Sequence, residues 1–247
     1  MYLRVNDLSY VYPGGQKALD RVSFEVSPGE SVAVVGPNGA GKTTLFLCLS
    51  GVLGIPSGTA NVAGLDPAER GQRRALPSKL GIIFQDSDDQ LFSTTVSDDV
   101  AFGPLNLGLP PGEVCQRVAE ALRHVGLRGF EERVPFHLSG GEKRRVALAG
   151  VLAMRPEILL LDEPSSHLDP RGRRELIQLI NGLTVTKIIA AHDLEFILET
   201  CQRAIILDAG CVVADGPART LFADRGLMSA HGLEVPHSLT PHVNPHH

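Results

Sequence analysis

No apolar run in these 247 residues approaches the ~20 residues that a bilayer-spanning helix needs. The opening Met1-Tyr2-Leu3-Arg4 also lacks the long apolar core of a secretory leader, so the chain itself is expected in the cytosol. Cysteine is scarce. Cys48, Cys115, Cys201 and Cys211 have no Cys-x-x-Cys spacing, which argues against structural zinc and suits reduced thiols. Positive charge is not in surplus: the net charge is −5, and the basic clusters at 70–79 and 143–145 read as local, solvated helix faces. Nothing global favours a nucleic-acid polyanion, and nucleic acid is not expected as a partner. What the chain does have is 43% hydrophobic residues, enough for one large domain or a core with a subdomain.

Residues 1–30 alternate apolar and polar positions around Pro13-Gly14-Gly15, which predicts a small antiparallel sheet. A further turn and strand are expected near 56–64, and a short strand at 80–84. From 96 to 153 the pattern is helical, broken by Gly103-Pro104, Pro110-Pro111-Gly112 and Pro135, and reads as a helical insertion. The near-continuous apolar runs at 158–161 and 187–191 are those of strands buried on both faces of a parallel sheet, with a helix over 171–183 between them. A late hairpin is expected around Ala209-Gly210. Alternating strands and helices imply a doubly wound α/β core. After about residue 226 the periodicity fades, and a mobile tail is expected to 247.

The run Gly36-Pro37-Asn38-Gly39-Ala40-Gly41-Lys42-Thr43 follows an apolar stretch at 31–35 and opens a helical one at 44–50, starting with Thr44. Glycines allow successive backbone N–H groups to turn toward one anion, Lys42 reaches the outer phosphates, and the Thr43 hydroxyl suits Mg²⁺. A dinucleotide fingerprint needs different glycine spacing. The apolar run at 158–161 delivers Asp162 and Glu163 to a strand end, where open α/β sheets bind ligands. Asp162 suits Mg²⁺, and Glu163 suits polarising the water that attacks the γ-phosphate. His192, after the next such strand, can contact that phosphate or orient the water. Gln85, by the same edge placement, can ligate Mg²⁺ and sense the γ-phosphate.

Leu138-Ser139-Gly140-Gly141-Glu142 precedes a helix expected from about Lys143. Ser139 is then an N-cap, and the glycines expose N–H groups, making a second anion site. Because residues 36–43 already cradle the phosphates, its simplest use is the nucleotide held by another copy. A head-to-tail dimer with two sandwiched ATP molecules follows.

Together these residues resemble the ATP-binding cassette family, with Walker A at 36–43, a Q-loop at Gln85, the signature at 138–142, Walker B at 158–162 and His192 as switch histidine. The likeness covers about residues 1–225. It implies a RecA-like parallel-sheet core, an N-terminal antiparallel β-subdomain and a helical subdomain at about 86–155. Tyr12 occupies the position of the aromatic residue that stacks on adenine. ATP would close the dimer and hydrolysis would reopen it. In the loop after Walker B, Ser165-Ser166-His167-Leu168-Asp169 carries His167 where a small residue is common, which predicts altered contacts across the dimer.

Residues 85–92 (QDSDDQLF) and 98–109 (DDVAFGPLNLGL) resemble the energy-coupling-factor subgroup, especially the ATPase of cobalt and nickel importers. That resemblance implies ATPases held at the cytoplasmic face of the membrane by a transmembrane coupling protein, docking near residues 85–110, and a substrate-binding membrane subunit. Vitamin import by the same subgroup stays open. So does a dimer of different chains. His231, His237, His242, His246 and His247 suit nickel, cobalt or zinc by donor type, but Pro236, Pro241 and Pro245 interrupt any helix that would align them. A soluble cassette ATPase acting on nucleic acid or ribosomes is the alternative of a different class. The short span from Thr43 to Leu138 and the single cassette argue against it.

Overall fold

The computed structural model describes residues 2–240. Its centre is a six-stranded sheet built from β3 (Ser31–Val35), β5 (Leu80–Ile83), β6 (Ile158–Asp162), β7 (Thr186–Ala190), β8 (Arg203–Asp208) and β9 (Cys211–Pro217), in the order β5-β6-β7-β3-β8-β9. All neighbours are parallel except the closing β8–β9 hairpin. Every residue of β6 and β7 is buried, and alternation assigns them to opposite faces. Ile158, Leu160, Ile188 and Ala190 pack in one apolar cluster, whereas Leu159, Leu161, Ile189 and Ala191 pack in another. Two filled faces explain why these strands read as unbroken apolar runs.

The first cluster is closed by a three-stranded antiparallel sheet, β2-β1-β4, formed by β1 (Leu3–Val11), β2 (Lys17–Val26) and β4 (Ser57–Val62), together with α1 (Lys42–Leu49). The second cluster lies under the helices. After the short α2 (Arg70–Arg73), an inserted layer comprises α3 (Val96–Asn106), α4 (Pro111–His124) and α5 (Gly140–Ala153). Thr95 caps α3 by accepting from Asp98 N–H, and Pro111 starts α4 where its missing N–H costs nothing. The approach of α5 to the sheet is close. A Cβ on Gly81 would meet the Val151 side chain at 2.1 Å, so only glycine fits there without displacement. α6 (Pro170–Gly182) is capped by Asp169 and α7 (Leu194–Thr200) by Asp193.

The start of α5 differs from expectation. The helix begins at Gly140, not near Lys143, because Ser139 and Glu142 form a reciprocal capping box that draws both glycines into the first turn. The end of the described chain also differs. Following α8 (Ala218–Ala223) and α9 (Arg225–Ala230), residues up to 240 pack against the domain. Leu227, Leu233, Val235 and Leu239 lie against the second cluster, and Met228 is fully buried. His231 Nδ1 is 2.8 Å from Asp208 Oδ2. Ser238 N and Oγ donate to the Glu195 carboxylate at 2.9 and 2.6 Å. An extended segment crossing a surface buries apolar residues without helical or strand period, and so left no regular pattern. His242, His246 and His247 lie outside the described residues.

Candidate active site

Three strand ends and one loop build the site. β3 stops at Val35, and the chain turns through residues 36–41 into α1. That turn demands glycine. A Cβ on Gly36 would meet the Leu207 carbonyl oxygen at 1.9 Å, and one on Gly41 would meet the Ala18 carbonyl oxygen at 2.4 Å; both have positive φ, 156° and 108°. Gly39 also has positive φ, 79°, but faces open space, leaving its backbone approachable by a ligand. Lys42 is buried, with Nζ donating to the carbonyl oxygens of Gly36 and Pro37 at 2.7 and 3.1 Å. Burial pulls its pKa below the ordinary lysine value, with the charges of Glu163 and Asp162 opposing.

β6 carries Asp162 to the same edge, where Thr43 Oγ1 donates to its Oδ2 at 2.8 Å. Burial pushes the Asp162 carboxyl above its ordinary range, against the Thr43 hydrogen bond. A hydroxyl and a carboxylate oxygen side by side are hard donors, a chemistry that fits Mg²⁺. Glu163, the next residue, has a left-handed backbone with φ 48°, anchored by its N–H donating to Ala190 O at 2.7 Å. This turn aims its carboxylate at the end of β7. There Oε2 is 2.7 Å from His192 Nδ1 and accepts from His192 N–H at 3.3 Å. The pair differs in exposure, with 68% for the His192 side chain and 11% for that of Glu163. One carboxylate is thus fixed in the protein while its imidazole partner faces outward.

A cleft of about 220 Å³ is lined by Tyr12, Asn38, Gly39, Ala40, Gly41, Lys42, Thr43, Thr44, Gln85, Asp162 and Glu163, with Gln16 and Ala18 completing its wall. The Tyr12 hydroxyl is 3.1 Å from Thr44 Oγ1, and its ring meets Tyr10 edge-on at 5.0 Å. Gly36, Pro37 and His192 border a second cleft of about 700 Å³, which shares Asn38, Gln85 and Glu163 with the first and is walled by residues 232–237. Sequence reasoning missed Gln16, Ala18 and this wall, since none of them carries a motif.

Ser139, Gly141 and Glu142 line neither cleft. Ser139 accepts from Glu142 N–H at 3.4 Å, while Glu142 Oε2 takes the Ser139 N–H and O–H at 2.8 and 2.7 Å. Those bonds, the hydroxyl's first, hold the Glu142 carboxyl below its ordinary range. Gly140 alone of the four borders a groove reaching Thr43, Gln85 and Asp162. His167, also on that groove, is exposed with φ 62°. Among the described residues no cluster of three or more His, Cys, Asp or Glu could hold a metal ion, and no helix is long and apolar enough to cross a membrane.

Residues 19–166 match the family model described as ABC transporter. A putative ABC transporter ATP-binding protein of Synechocystis is 49% identical over 96% of this chain and 82% of its own length. The energy-coupling factor transporter ATP-binding protein of Methanothermobacter thermautotrophicus is 47% identical over 95% of this chain and 76% of its own. Among solved structures, CbiO1 from Clostridium perfringens, described as part of the ABC transporter complex CbiONQ, superposes with a TM-score of 0.82 at 37% identity, covering 92% of this chain and 93% of that one.

Proposed function

The chain belongs to the ABC transporter ATPases, in the energy-coupling-factor and CbiO-like group, and from that premise we propose that it powers import of cobalt or nickel through a partner membrane complex. The observation that carries the hydrolytic half is the convergence of Lys42, Thr43, Asp162, Glu163 and His192 at one sheet edge, with Glu163 and His192 2.7 Å apart. ATP lies with its phosphates on residues 36–43, Lys42 turning from the loop carbonyls to the outer phosphates, and with adenine against Tyr12. Thr43, Asp162 and Gln85 would hold Mg²⁺, which when bound would supply positive charge to the phosphate oxygens. Glu163 polarises the water that attacks the γ-phosphorus. The bond from that phosphorus to the bridging oxygen breaks, releasing ADP and phosphate, while His192 contacts the γ-phosphate and keeps the water aligned.

Ser139, Gly140, Gly141 and Glu142 serve the nucleotide of a second copy in a head-to-tail dimer; their position away from the cleft beside Tyr12 supports this. The transmembrane coupling protein docks near residues 85–110. That region carries exposed Phe92, Phe102 and Leu105, at 64%, 50% and 56% exposure, beside a groove of about 570 Å³ lined by Leu91, Leu107 and Met154 among others. A substrate-binding membrane subunit selects the cargo, and the chain sits at the cytoplasmic face, held by these partners.

The test is a pull-down of this chain from detergent-solubilised native membranes, with mass spectrometry of the proteins and elemental analysis of bound metal. Co-recovery of helical membrane subunits with cobalt or nickel is the expected result. A vitamin-binding subunit would overturn the metal cargo but keep the coupling role, and only soluble nucleic-acid or ribosomal partners would overturn transport itself.

A further inference from the structure

Arg144 lies in the second turn of α5 and is 7% exposed. Its hydrogen bonds all end on main-chain carbonyl oxygens. Nη1 donates to Glu163 O at 3.0 Å and to Pro164 O at 2.8 Å, and Nη2 donates to Gln85 O at 2.7 Å. Nε is buried without a partner. Burying a cation is costly unless something specific compensates, and burial does pull this guanidinium's pKa below its ordinary value, with Asp86 opposing. Packing alone needs no charge at this position. A planar fork reaching two loops at once is what arginine offers and lysine does not.

The loops it joins are functional. One carries Gln85. The other begins at Glu163, whose left-handed φ of 48° is a conformation a non-glycine residue holds only when its surroundings enforce it. Ala190 O fixes the amide side of Glu163, and Arg144 fixes its carbonyl side. We propose that Arg144 is a positioning residue that ties the backbone of Gln85 to that of Glu163 and Pro164, so that both loops move with the helix α5 that Ser139 caps. Displacement of that helix, by a second copy or a docked membrane protein, then reaches the water-activating carboxylate directly. This rests on the assignment of Glu163 proposed above.

Steady-state and single-turnover ATP hydrolysis by the full chain would test it in Arg144→Lys, Arg144→Met and each combined with Glu163→Gln. Methionine keeps much of the volume without a buried charge, so Arg144→Met is expected to stay folded in a thermal melt even if Arg144→Lys does not. Both single variants are expected to lower kcat at least tenfold with KM for ATP within twofold, since residues 36–43 are untouched. In the Glu163→Gln background the same changes are expected to cost less than a further twofold, because both act on one carboxylate. A kcat within twofold of the parent in both variants would make Arg144 a packing residue. A rise in KM matching the loss, or full multiplicative losses beside Glu163→Gln, would place its effect elsewhere. If Glu163→Gln alone leaves turnover unchanged, the assignment of the base falls and this inference with it. If Glu163→Gln is slow while Arg144→Lys and Arg144→Met are not, only the Arg144 link falls.

Discussion

At the residue scale the proposed chemistry turns on Glu163. Its carboxylate is anchored to the end of β7 through His192, and its left-handed backbone is set by Ala190 O, so its position is held before any nucleotide arrives. Preorganisation of that kind makes an isosteric change informative. Glu163→Gln preserves shape and removes the basic oxygen, and general-base catalysis is typically worth on the order of 10²–10⁴ in rate. We expect phosphate release to fall at least 10²-fold, about 2.7 kcal/mol of barrier, while ATP still binds through residues 36–43. Closed dimers should then accumulate with ATP and be visible by size-exclusion chromatography. Unchanged turnover would reassign the base.

At the element scale, the helix α5 is started by its capping box, and that start is sensitive to pH. Because the Ser139 O–H and N–H hold the Glu142 carboxyl below its ordinary value of 4.5, the folded chain keeps it ionised at lower pH than the unfolded chain does. The stabilisation is complete above the unfolded pKa and is lost as pH falls through the lower folded pKa. Glutamine can still serve as the third residue of the box but cannot titrate. The melting temperature of the parent should therefore exceed that of Glu142→Gln at pH 7, and the gap should shrink as the pH is taken from 5 toward 3. A pH-independent gap would remove this contribution. The same helix marks the limit of what could be read from sequence. Ser139 signals an N-cap by type and place, and the apolar runs at 158–161 and 187–191 announce buried parallel strands, because these are local patterns. Arg144 carries no local signal. Its partners lie at Gln85 and at Glu163 and Pro164, distant in sequence, and they are backbone atoms that any residue type supplies. The packing of Leu233, Val235 and Leu239 was equally hidden, since an extended strap has no period and its prolines suggest a linker.

Across the whole molecule, two faces carry different surfaces. The sheet edge with residues 36–43 and Glu163 is polar and is the proposed phosphate site, whereas the helical layer presents Phe92 and Phe102, whose rings meet edge-on at 4.8 Å, beside an apolar groove. Phe92 and Phe102 are 64% and 50% exposed, and covering what remains exposed is worth roughly 1–2 kcal/mol each. Such a patch is the surface proposed above to dock the membrane partner. The Gln85 loop runs straight into it, since Gln90 Oε1 accepts from Phe84 N–H at 3.0 Å and its amide donates to Ile82 O at 3.1 Å, so the proposed docking face and the proposed phosphate face share one short stretch of chain. Replacing Phe92 and Phe102 together by aspartate places charge in the groove without touching the phosphate loop. The double variant is expected to stay folded and to hydrolyse ATP within twofold of the parent in isolation. It should also lose recovery of the membrane partner from solubilised membranes, because two buried carboxylates without counter-charges oppose association. Undiminished recovery would move the docking site off residues 85–110, whereas joint loss of recovery and of isolated turnover would mean that the two faces are one structural unit and not separable by mutation.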